Sequence, residues 1–270
     1  MNDDETFEDE VSRDEVALSP NEAADPQEIV ARMIPPDLLA KYEVHSYRSA
    51  ATILALSHEG LFEELCDALR DFAITETMIR TAGGNESEIP KLLSASLRPK
   101  EWRETIIRGD LKVEKIAKRY VTTSKRGKPL AKPRYEKMEP EIITRAKYLD
   151  GHKVDYVKGK VAFDLEWNSK DQTFDRDLYA FSAFAQTGVV DVGVLVTRGV
   201  EMTEFIKGLG PALTKSGKIE MKDGTPRTTA AKYGASTTWM GKLLYRLNAG
   251  RNGACPVLVF GITPRCVVER

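Results

Sequence analysis

The chain has 270 residues, 41% of them hydrophobic, with 40 Lys and Arg against 41 Asp and Glu, the composition of an ordinary soluble globular protein of one large domain or two modest ones. Its three cysteines, Cys66, Cys255 and Cys266, are odd in number and lack CxxC spacing, which argues against a disulfide framework and a zinc finger. No apolar run approaches the ~20 residues that span a bilayer, and the acidic start does not suit a signal peptide, so no membrane association and a cytoplasmic location are expected.

Residues 1–30 hold 11 of the 41 acidic residues and a single basic one, Arg13, leaving 30 acidic against 39 basic residues in 31–270. The first 28 residues are also poor in large apolar side chains, so 1–30 is expected to be a disordered acidic tail that aids solubility. The remainder, 31–270, is expected to form a single domain, with a helical part over 31–100 and an α/β part over 101–270. A basic body suits a polyanionic partner, although a merely solvated surface explains the same excess. Lys118 to Lys137 is densest, with eight basic residues against Glu136 alone.

From Pro36 to Ala82 the pattern is helical, with Leu61, Leu65, Leu69 and Phe72 at helical spacing. Ser87 to Leu97 suggests another short helix, and Trp102 with Ile106 a further one from Lys100 onward. Residues 122–134, with two prolines, a glycine and no periodicity, are expected to be a long loop. Lys153–Val157 and Lys160–Trp167 suggest two strands joined at Lys158-Gly159. Thr173–Thr187 suggests a helix with Phe174, Leu178, Phe181 and Ala185 on one face. Val189–Thr197 and Cys255–Thr263 suggest buried strands. Strand, helix, strand implies a parallel crossover, hence an α/β core.

Within Lys160–Asn168, alternation puts Val161, Phe163, Leu165 and Trp167 on one face and Ala162, Asp164, Glu166 and Asn168 on the other. Asp155, on the preceding strand, can point at the same place. Carboxylates that converge at a sheet edge repel unless a cation or proton compensates. Hard oxygen ligands without histidine select Mg2+. Two acids on the wet face of an edge strand are the bland alternative, and the third acid and basic surround count against it. His45, His58 and His152 lack metal-ligand spacing, and no phosphate-binding glycine loop or covalent-nucleophile motif is present.

Asp155, eight residues, then Asp164-Leu165-Glu166 resembles the PD-(D/E)xK nuclease pattern, with Glu166 where most members carry lysine. That departure is tolerated in the BamHI and BglII branches. The stretches Glu166 to Asp171, Phe174 to Leu178, Asp191 to Val194 with Thr197-Arg198, Tyr233 to Thr238 and Cys255 to Leu258 are similar to type II restriction endonucleases of the BglII/BstYI kind. The resemblance covers about residues 83–263. It implies a mixed central sheet flanked by helices and a homodimer that cuts double-stranded DNA at a short palindrome, paired with a protecting methyltransferase.

By that resemblance Asp155 and Asp164 would bind Mg2+, and Glu166 would bind metal or orient the attacking water. A second register makes Glu166 the second acid and Asn168 the lysine substitute. Glu104 resembles an extra helical acid that some members aim at the site, an exposed helix carboxylate being the other reading. Ser236-Thr237-Thr238 precedes an apolar helical pattern, so it is expected at a helix N-terminus that suits a phosphate; ordinary capping also explains part of it. Lys242, Lys170 and Arg176 complete the expected DNA contacts. A structure-specific repair or recombination nuclease on the same fold, and a DNA-binding protein that cuts nothing, are the rival readings.

Overall fold

The computed structural model describes residues 23–81 and 88–268. Most of the expected acidic tail therefore lies outside the described residues. Its boundary comes earlier than residue 30: α1 spans Gln27–Met33 and buries Val30. Asp25 ties the entry down, taking the Ser46 hydroxyl at 2.5 Å and the Ser49 amide at 3.0 Å. Two carboxylate bonds and one buried apolar side chain order a stretch whose composition suggests disorder.

The described chain then runs through α2 (Pro36–Lys41), β1 (Tyr42–Tyr47), α3 (Ala50–Ser57), α4 (Glu59–Asp71), β2 (Ile74–Thr75), α5 (Glu76–Thr81) and α6 (Glu88–Leu97). Next come β3 (Arg103–Lys115), β4 (Lys118–Thr123), β5 (Pro129–Lys137), β6 (Glu141–Lys158), β7 (Val161–Glu166), α7 (Gln172–Gln186), β8 (Val192–Arg198) and α8 (Val200–Gly208). The short β9 (Met221–Lys222) and β10 (Thr225–Pro226) precede α9 (Met240–Asn248), β11 (Val257–Ile262) and β12 (Val267–Val268). The helical stretch from Pro36 is thus interrupted by β1, where Tyr42, Val44 and Ser46 alternate inward with the period of a strand.

Six strands form one sheet in the order β1-β11-β8-β7-β6-β3. β8 runs parallel to both β7 and β11, whereas β1 and β6 are antiparallel to their neighbours β11 and β7. The expected crossover is present: β7, then α7, then β8. The sheet is mixed and flanked by helices, as the sequence implies. One face carries Val161, Phe163, Leu165, Val194, Val196, Leu258 and Phe260 into a core shared with the helices before residue 98. Phe174, Leu178, Phe181 and Phe184 of α7 are fully buried, and Phe181 lies against Gly193 of β8, so α7 covers the other face. β7 is therefore an interior strand buried on both faces, not the sheet edge expected for the carboxylates.

Residues Ile106–Lys153 form a second compact unit, a division not included in the expectation of one body over 31–270. Two corrections fall near it. The segment from Lys100 is a strand rather than a helix, so Glu104 sits exposed on β3. Residues 122–134 are not a loop but most of a hairpin: β4 and β5 pair antiparallel, with Tyr120 against Tyr135 at 5.2 Å and Gly127 at φ 73° in the turn. Almost every side chain on both strands is exposed, so no polar-apolar alternation marks them in the sequence. This unit contains 14 basic and 6 acidic residues, an excess of 8 out of the 9 carried by residues 31–270.

Candidate active site

The antiparallel register of β6 and β7 pairs Tyr156 with Phe163 and Val157 with Ala162. Continued one step, it sets Asp155 across from Asp164, and the Asp155 amide donates to Asp164 Oδ1 at 2.7 Å. Asp164 and Glu166 are 4% and 6% exposed, on the α7-facing side of β7. α7 adds a fourth acid. Asp177 lies on the helix's buried stripe, three residues after Phe174 and four before Phe181, and is 3% exposed.

Burial drives the electrostatics here, because a carboxylate out of water favours its protonated form. Asp164 is pushed well above the usual carboxylate range, first by burial and then by the charge of Asp177. Glu166 rises to about 8 for the same two reasons. Asp177 rises to about 6 through burial, with Arg176 opposing. Its Oδ1 accepts from Arg176 Nε and Nη2 at 3.1 and 3.0 Å, and Arg176 Nη2 stands 3.7 Å from Glu166 Oε1. Glu166 Oε2, Asp177 Oδ2 and Asn168 Oδ1 are buried without a hydrogen-bond partner. Such atoms in a native structure call for a partner, either an ordered water or an ion.

Among the described residues, no three His, Cys, Asp or Glu side chains converge closely enough to hold an ion by themselves. Mg2+ nevertheless fits this donor set. It takes one or two carboxylates and keeps several waters, and a cation would relieve the repulsion among these buried carboxylates.

The end of β7 is braced by the segment that follows Tyr233. Lys170 and Thr237 form an isolated bridge, the Thr238 amide donates to the Ser169 carbonyl at 2.9 Å, and the Asp171 amide donates to the Ser236 carbonyl at 2.9 Å. Arg198, 2% exposed, donates to the Trp167 and Thr238 carbonyls and to the Thr237 hydroxyl. It also lies over the Tyr233 ring. Burial lowers its guanidinium to about 10.

This extended pairing displaces the expected helix start. α9 begins at Met240 with Trp239 at its N-cap, so Ser236-Thr237-Thr238 are not its first residues. Thr238 is buried with its hydroxyl on the Glu166 carbonyl. Lys242, expected on the surface, is 4% exposed and held by Asp171 and the Ala235 carbonyl. Ser236 and Lys170 are exposed. Asn168 is half-buried, its amide donating to the Lys232 carbonyl at 3.1 Å.

The structure thus brings together Asp155, Asp164, Glu166 and Arg176 from the sequence-derived set. It adds Asp177, whose signal was an acid at a core position of the predicted helix stripe. Arg198 was also missed as a brace; its mark was a charge directly at the end of a buried, β-branched strand.

No helix among the described residues is long and apolar enough to cross a membrane. A comparison with curated proteins gave no match. A family model, restriction endonuclease BglII/BglIII, matches residues 42–262, which extends the likeness through the helical part as well as the sheet. The chain belongs to the BglII/BglIII family of restriction endonucleases, site-specific deoxyribonucleases.

Proposed function

We propose that this restriction endonuclease hydrolyses double-stranded DNA at a short palindromic site in a Mg2+-dependent reaction, as a homodimer with one carboxylate centre per subunit. The observation that carries the metal requirement is the buried Asp164–Glu166–Asp177 cluster with its orphaned oxygens. Asp155 and Asp164 would hold Mg2+ with Glu166 beside them. When bound, the ion supplies positive charge to the phosphate and acidifies a coordinated water.

The chain's own residues do the rest. With the ion bound beside it and its own proton released, Glu166 would orient the attacking water and accept the proton that water loses. The water oxygen bonds to phosphorus, one ester P–O bond breaks, and the departing oxygen leaves as an alcohol after taking a proton. The hydrogen bond from Asn168 to Lys232 favours the register in which Asp164 is the second acid, since the Asn168 amide is already engaged. Lys170 and Ser236 are exposed beside the site and suit phosphate oxygens. A palindrome implies two-fold symmetry in the protein that reads it. A methyltransferase protecting the same sequence, and an intracellular setting, complete the reading.

The test is digestion of unmethylated phage DNA with Mg2+ or EDTA, followed by sequencing of the ends, with the oligomer measured by light scattering. One palindrome at every Mg2+-dependent end, from a dimer, is expected. Cuts confined to branched junctions would instead support a repair or recombination nuclease.

A further inference from the structure

Three consecutive charged residues of α7 have three destinations. Asp175 faces Arg246 of α9 and Arg251 just beyond it, which reach it at 2.9 and 2.6 Å. Asp177 points inward to the carboxylate cluster. Arg176 stands at its rim, with 57% of its side chain exposed and its guanidinium against both Asp177 and Glu166. Burial is the largest single influence and works against the Arg176 charge, but the charge of Asp177, its hydrogen bonds and the charges of Glu166 and Asp164 together outweigh it, and the guanidinium is held above its ordinary range.

Asp177 is an expensive residue for its position. The stripe of Phe174, Leu178 and Phe181 would accept an apolar side chain there, and a buried acid next to other acids destabilises the fold unless paired. Its visible work is to take two bonds from Arg176 on one oxygen and so hold the guanidinium plane toward Glu166. A phosphate that approaches this cluster meets several carboxylates, and Arg176 is the cation seated against them. A guanidinium fork matches two phosphate oxygens.

We propose that Arg176 contacts the non-bridging oxygens of the phosphate being cut, and that Asp177 is a positioning residue acting through it. Arg176 transfers no proton; it stabilises the charge on those oxygens as the water oxygen bonds to phosphorus and the ester bond breaks. This rests on the reading of the cluster as the cleavage centre, which loss of cleavage in an Asp164→Ala variant would test separately.

The experiment is a double-mutant cycle on the full chain: Arg176→Ala, Asp177→Asn and the pair. Single-turnover cleavage is read at saturating enzyme with Mg2+, and DNA affinity in Ca2+ without Mg2+. Folding is checked by circular dichroism, and Asp177→Asn keeps the size and one acceptor so that the stripe stays filled. Arg176→Ala is expected to slow cleavage by about 10²–10³-fold, the loss typical of one transition-state donor, while DNA affinity changes much less. Asp177→Asn should lose part of that rate, Arg176→Lys should recover part of it, and the pair should be no slower than Arg176→Ala alone. Wild-type cleavage by Arg176→Ala, losses that multiply in the pair, or weakened DNA binding with an unchanged rate at saturation would each overturn the proposal.

Discussion

The Asp155 amide donates to Asp164 Oδ1 at 2.7 Å, joining the two strands that carry the acids through a backbone-to-carboxylate bond. That bond favours the charged carboxylate, but burial and Asp177 outweigh it, and Asp164 titrates well above its ordinary range. A neutral side chain of the same shape should suit the metal-free fold better. Asp164→Asn is expected to melt at the same temperature as the parent or higher in EDTA, while cleavage is lost. A clear drop in melting temperature would mean that Asp164 serves the fold rather than the chemistry.

Glu166 gives a pH dependence with a definite sign. Its carboxyl rises from 4.5 to about 8 in the folded chain, so between those values the native state holds a proton that the unfolded state has released. Stability from this group is full below about pH 4.5 and is lost as pH rises through about 8. Urea unfolding in EDTA should show the parent weakening across that window. Glu166→Gln should flatten the curve, and Mg2+ should restore stability to the parent at the alkaline end. Parallel curves for parent and variant would rule the assignment out.

Gly193 on β8 faces the ring of Phe181, and a Cβ there would overlap it. Gly193→Ala should push α7 away from the sheet, costing about 1–3 kcal/mol as overpacking does. Because α7 carries Arg176 and Asp177, cleavage should fall further than the stability loss alone explains at a temperature where the variant remains folded. Full cleavage from a destabilised variant would separate the helix position from the chemistry.

The hairpin over Lys118–Lys137 should contribute DNA affinity that depends on salt. Replacing Lys125, Arg126 and Lys128 by Gln should flatten the plot of log affinity against log salt by about 0.9 for each phosphate no longer neutralised. An unchanged slope would leave the basic excess of this unit without a role in DNA binding.

Much of the sheet was legible because its strands are buried and β-branched: Val257–Ile262 sits within the run that suggests it, and Val192–Arg198 overruns its own by a single residue, Arg198. The faces of β7 followed from strict alternation at Val161–Glu166. β1 was hidden because Tyr42–Tyr47 lies between helices, and its partner β11 is more than 200 residues away in sequence. The strand alternation of β1 covers only six residues, too short a run to stand out between helical patterns. The β4–β5 hairpin was hidden for the opposite reason, since its side chains mostly face water. Asp177 was overlooked because a charged residue within a helix suggests its wet face, whereas here the stripe carries it into the core. Thr238 and Lys242 looked like surface ligands, but tertiary hydrogen bonds to Glu166, Asp171 and Ala235 take them inside.

The most direct measurement incubates purified protein and its Asp164→Ala variant with unmethylated plasmid or phage DNA, in Mg2+ or in EDTA. Discrete fragments from the parent in Mg2+, none in EDTA and none from a folded variant are expected. Intact DNA in Mg2+, or cleavage that survives Asp164→Ala, would contradict the assignment of catalysis to the carboxylate cluster.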